Sequence, residues 1–145
     1  MNTVDLRSLL AEANHAGAYF VAESDTDAIA EAGVALGHEV VRVDLADCVD
    51  APTLIARIAR ALHFPDWFGH NWDALADSLG DLSWMPASGY LLLLENASGW
   101  RAAAGEDATT LLEILNDAAA IWAAQGVAFW ALLPLPAAEL DALEQ

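Results

Sequence analysis

Hydrophobic spacing divides the chain into alternating strand and helix patterns. Val4–Ala13 carries leucines at 6, 9 and 10, a helical spacing, and Gly17 follows as its stop. Ala18–Ala22 (AYFVA) is a short apolar run that reads as a buried strand. Ser24 or Asp25 caps a second helix, Thr26–Leu36, which Gly37 closes. Glu39–Leu45 is β-branched and apolar at alternate positions, hence a strand. Pro52 suits the first turn of a helix running to Leu62, with Leu54, Ile55, Ile58 and Leu62 as its stripe and Arg57 and Arg60 turned outward. Tyr90–Glu95 is continuously apolar up to Glu95, as a strand covered on both faces would be. Asn96–Asp107 is small and polar and is the one candidate for a flexible segment. Thr109–Gln125 forms the longest helix, burying Leu111, Leu112, Leu115, Ala119 and Trp122. Val127–Leu133 is the last strand, Pro134 and Pro136 block further pairing, and Ala137–Leu143 forms a short closing helix. Strands alternating with helices predict an α/β fold with four parallel strands.

Between these elements lies an unusual stretch, Leu62–Pro86 (LHFPDWFGHNWDALADSLGDLSWMP). Pro65 and Gly69 mark a turn. Asn71 is a good N-cap for the helix that follows, and Gly80 a good terminator. Trp72, Leu75, Ala76 and Leu79 fall on one face. Asp73 and Asp77 are four apart and stack on the opposite flank. Like charges at that spacing cost an isolated helix about 0.2–0.5 kcal/mol. Asp73 is favoured by its place in the first turn, whereas Asp77 lies a turn further on. From Ala61 to Trp100 there is no Lys or Arg. Trp72 reads as core, Asp66 and Asp81 as solvated turn residues, and His70 as an exposed loop residue.

Composition sharpens the picture. The formal charge is −17, which argues against direct binding to nucleic acid or an anionic membrane and for a basic partner. Solubility alone would also account for acidity. A 57% hydrophobic content excludes disorder, and 145 residues predict one domain, 1–145. All five basic residues are Arg. Cys48 stands alone, so no disulfide forms within the chain, and a cytoplasmic, reducing setting fits. The N-terminal stretch lacks the pattern of a signal peptide, and the apolar runs are too short to span a bilayer.

Catalytic chemistry finds little support. His15, His38, His63 and His70 are scattered and read as surface or loop residues; with no Cys pair or HExxH, no metal site is expected. Asp47 and Asp50 beside Cys48 would raise its pKa rather than activate it. There is no phosphate-binding glycine loop, and no cofactor is implied. Asp73 and Asp77 resemble a general acid–base pair only in composition.

The motif PDWFGHNWDALADSL resembles the signature of the barstar family of ribonuclease inhibitors. The resemblance runs from EVVRVDL through TLIARIARAL, the signature, YLLLLEN, a helix near 107–124 and VAFWALL, roughly residues 38–133. Residues 1–37 would then be an N-terminal βα extension, its strand placed beside Glu39–Leu45, and 134–145 a tail or short helix. The resemblance implies that the last three strands lie in sequential order. It also implies inhibition of a basic bacterial ribonuclease, as an immunity protein does for a toxin, with helix aspartates as phosphate mimics. By matching position, Asp77 would be the central mimic, and Asp73 would face the nuclease's arginine and guanine site. Trp67 would pack on its catalytic histidine, and Gly69 would let the two backbones approach. Asn71 would start the helix. Two positions depart from the pattern. Ala76 replaces an interface tryptophan, and Ile121 replaces a glutamate, with Asp117 and Glu113 the nearest acids. An adaptor that keeps the fold without a nuclease target stays open as a second reading, and an enzyme using Asp73 and Asp77 as a third. The free protein is expected to be a monomer.

Overall fold

The computed structural model describes residues 3–65 and 69–143. Its elements in order are α1 (Thr3–Leu10), β1 (Ala18–Ala22), α2 (Thr26–Ala35), β2 (Glu39–Asp44), α3 (Ala51–Ala61), α4 (Trp72–Asp81), β3 (Gly89–Glu95), α5 (Ser98–Ala104), α6 (Glu106–Ala123), β4 (Ala128–Leu135) and α7 (Ala137–Leu143). Four strands form one sheet in the order β1-β4-β3-β2, and every pairing is parallel. The α/β class, the four strands and the sequential order of the last three are as the sequence predicts.

Alternation in the central strands explains the layers. In β3, Tyr90, Leu92 and Leu94 enter one core with Phe129 and Ala131 of β4, covered by α3, α4 and α6. Leu91 and Leu93 point the other way, with Trp130 and Leu132, under α1 and α2. Both central strands are therefore buried on both faces, as their unbroken apolar runs require.

The sheet order corrects one expectation. β1 does not lie beside β2 but at the opposite edge, with Ala18 in register with Ala131 and Ala22 with Leu135. The physical reason lies in the two candidate neighbours. β2 exposes Glu39, Arg42 and Asp44, charges that suit a strand left at an edge. β4 is buried along its whole length and leaves its backbone groups unmatched unless a strand covers them. β1 itself is only partly buried, and Tyr19 is 47% exposed.

Four further expectations change. Pro134 does not end β4 but pairs with Val21 inside it. The β3 ladder stops at Leu132, so beyond it β4 is paired on one side only and a missing N–H is tolerated. The segment 96–107 is mostly helical: α5 forms around buried Trp100, and Gly105 at φ +58° turns the chain into α6. His38 is half-buried rather than a surface residue. Its Nε2–H donates to the Leu10 carbonyl (2.9 Å), which also accepts from Trp130 Nε1 (2.9 Å). Arg57 is also tied down, donating to the carbonyls of Asp44 (2.8 Å) and Ala46 (3.1 Å).

Candidate functional site

The helix that carries the two aspartates is held from both ends. Asn71 sits at its N-cap in extended conformation, and its Oδ1 accepts from the Ala74 N–H (2.8 Å). That satisfies one of the orphan donors of the first turn. His70 before it adopts a left-handed backbone (φ 57°), which few side chains favour, so the turn into the helix is tightly specified. At the far end the helix runs to Asp81, not to Gly80, and the left-handed residue is Leu82 (φ 44°). Leu82 is fully buried, and its burial offsets a conformation that glycine would adopt without strain.

Packing then fixes the face. Leu75, Ser78 and Leu79 are buried. Trp72 packs half-buried against the same core. From α6, the Trp122 indole N–H donates to the Leu79 carbonyl (2.8 Å). Gly80 allows a close approach of the two helices, for a Cβ there would lie 3.2 Å from Ile121 Cδ1. The chain before and after the helix is clamped as well. Trp84 Nε1 donates to the Leu62 carbonyl (2.9 Å), and its ring meets Phe64 edge-on at 5.6 Å. Trp84 and Trp122 were not legible as positioning residues. Each acts through one indole N–H on a backbone carbonyl, which leaves no spacing pattern in the sequence.

What this scaffold presents is Asp73 and Asp77, both exposed. Among the described residues no ion pair or hydrogen bond engages either side chain. Arg42 is committed to Asp27 and Glu95, and Arg101 to Glu139. Ala76 is half-buried beside them. Ile121 is 47% exposed and, through Gly80, borders the C-terminal end of the same flank. Gly69 is exposed, and a Cβ there would make only ordinary contacts with Asn71 and Ala74 (3.4 and 3.5 Å), so this fold does not itself demand glycine. Trp67 and Asp66 lie outside the described residues. Asn71, Asp73, Ala76 and Asp77 thus share one short helix with its cap, whereas Glu113 and Asp117 lie exposed on α6.

Other chemistry is sparse. Cys48 is buried, and burial first, then the carboxylates of Asp44, Asp50 and Asp47, push its thiol pKa up against the opposing pull of Arg57. Among the described residues no group of three or more His, Cys, Asp or Glu is placed to hold a metal ion. No helix among them is long and apolar enough to cross a membrane.

Comparison with known proteins adds three findings. Two structures of the Aeropyrum pernix ORC2 protein, one of its ADPNP–ADP complexes and one of its ADP form, share the fold with TM-scores of 0.61 and 0.59. Sequence identity is 16% in both, a likeness of fold alone; 98% and 97% of this chain are covered but only 42% and 41% of those chains. No curated protein matches. A family model described as Barstar (barnase inhibitor) matches residues 38–134, well over half of the chain, including all of β2, α3, α4, β3, α5 and α6 and β4 up to Pro134. The chain therefore belongs to the barstar family.

Proposed function

We propose that this protein inhibits a basic ribonuclease of the barnase type by presenting Asp73 and Asp77 as substitutes for substrate phosphates. The single observation that carries the reading is the α4 flank. It offers two exposed carboxylates on a helix fixed at both ends, in a chain of the barstar family, with no cation of the described fold to neutralise them. Complementary charge speeds the encounter, and carboxylates enclosed among cationic side chains slow dissociation. Nothing in this role needs a nucleophile, a metal or a cofactor. The protein would act as the producing cell's immunity factor in the cytoplasm.

The periphery tunes the partner. A half-buried Ala76 and an exposed Ile121 place small and apolar surface around the aspartates, so the nuclease is expected to be apolar where it meets α6. Asn71 holds the helix start, and Gly69 keeps the approach to it low. Trp67 completes the surface by packing on the nuclease.

The test is a pair of measurements on Asp77→Ala: inhibition of a barnase-type ribonuclease, and thermal stability. Inhibition should weaken by about thirty-fold to several thousand-fold, from the roughly 2–5 kcal/mol lost when a buried cation is left unpaired. That range comes from complexes that include barnase and barstar themselves. Melting should not fall, because a like-charge pair is relieved. Full inhibition with a lower melting temperature would make Asp77 structural and move the inhibitory face elsewhere.

A further inference from the structure

The face of the sheet opposite α4 carries a groove of about 460 Å³ between α1 and α2. Its floor is Trp130 and Leu132 of β4 with Tyr19 of β1, and Leu9 and Ala28 form opposite walls. Leu9 is 38% and Tyr19 47% exposed, so aliphatic and aromatic surface is left uncovered there. The volume and the lining are those of small-molecule sites, which are mostly apolar with a few convergent polar groups.

Those polar groups decide the ligand. The Trp130 indole N–H is already spent on the Leu10 carbonyl, and the Tyr19 hydroxyl on the His15 carbonyl (2.7 Å). Two lining side chains have no such engagement, His15 and Asp25, and of the two only Asp25 can be an anion. It stands at the N-cap of α2, the position its residue type suits best, yet its side chain caps nothing. The chain enters α2 directly from a 3₁₀ turn, with Asp25 itself near helical (φ −95°, ψ −4°), and the carboxylate makes no hydrogen bond to the helix N–H groups. No ion pair among the described residues neutralises it.

We infer that this groove binds a small ligand with an aromatic or aliphatic body and a protonated amine, the body lying on Tyr19 and Trp130 and the amine pairing with Asp25. A carboxylate and aromatic rings lining one groove favour such a cation twice, by direct pairing and by attraction to the ring faces. Most of the groove comes from residues before position 38, outside the stretch that matches the barstar family, so the inference stands apart from the nuclease reading.

The test titrates the full chain with tryptamine and with indole-3-propionate, two probes with the same ring and opposite charge. The reporter is the NMR shift of the Trp130 indole N–H. Tryptamine should shift it saturably and bind about tenfold more tightly than the acid. Asp25→Asn should bring the two affinities together, and Ala28→Phe, which fills the groove from an exposed position, should abolish both. The inference is overturned if tryptamine gives no saturable shift at Trp130, or if the two probes bind equally to the parent. It is also overturned if the preference for tryptamine survives Asp25→Asn, since the net charge of the chain alone would then be its source.

Discussion

Two acidic pairs in this molecule differ in one respect. Asp27 and Glu95 come from α2 and the end of β3, far apart in sequence, and both converge on Arg42 (3.1 and 2.7 Å). The carboxylates in turn hold the Arg42 pKa well above its ordinary value, the hydrogen bond to Glu95 contributing most. Asp73 and Asp77 come from one helix and converge on no cation of the described fold. In sequence the two cases look alike, because Glu95 also lies in the stretch from 61 to 100 that lacks Lys and Arg. Only the fold separates them, by carrying Arg42 across from β2 to one pair and, among the described residues, no cation to the other. The first pair completes a fold; the second is left exposed, as the proposed inhibitory role requires.

The comparison can be broken at either end. The largest effect is expected at the unpaired end, where Asp77→Ala should cost inhibition about 2–5 kcal/mol and stability nothing. Asn71→Ala comes next. Loss of the cap should lower stability by about 1 kcal/mol, a fall of roughly 2–4 °C in melting temperature, and weaken inhibition less than Asp77→Ala does. An unchanged melting temperature would show that the Ala74 contact adds nothing to the helix start. Arg42→Ala should give the reverse profile. The pair is substantially exposed, so the stability loss should be about 1 kcal/mol or less, with inhibition intact. A large drop in inhibition would link the two acidic regions and erase the contrast.

The smallest effect is in acid. The Asp44 carboxyl is held below its usual range by Asn96 first and then by the Ala46 N–H, and Asp50 by the Thr53 hydroxyl and N–H. A carboxyl whose pKa is lower in the folded chain adds stability above its ordinary value of about 4, and that gain is lost as pH falls through the folded value. The stability gap between the parent and Asp44→Asn, from urea midpoints, should therefore narrow between about pH 5 and pH 3. A gap constant over that interval would mean that the Asn96 and Ala46 contacts do not discriminate the ionised form.

Local periodicity made the elements of the fold legible and left their neighbours obscure. Leu91 to Leu94 announce a buried central strand in any arrangement. Nothing in AYFVA says whether it lies beside β2 or β4, because strand order is decided by which edge is apolar and which is charged after folding. The helix at 98–104 was hidden by small residues, and a single buried Trp100 organises it. Gly80 read as a helix stop because glycine usually is one; it lies instead inside the helix, where α4 faces Ile121 of α6, and Leu82 does the stopping. At the candidate site, the cap at Asn71 and the outward flank of Asp73 and Asp77 followed from helical spacing. The clamps at Trp84 and Trp122 did not, since they depend on contacts with residues 22 and 43 positions away.

The pairing of β1 with β4 has a consequence in time. Ala18 waits for Ala131, more than a hundred residues later, before its strand has a neighbour. At translation rates of about 5–20 residues per second, β1 stays without its partner strand for roughly 5–20 s. Of the four strands, the one made first therefore finds its neighbour only in the one made last. An apolar segment such as AYFVA is left without a sheet neighbour over that interval, and its docking cannot precede the synthesis of β4.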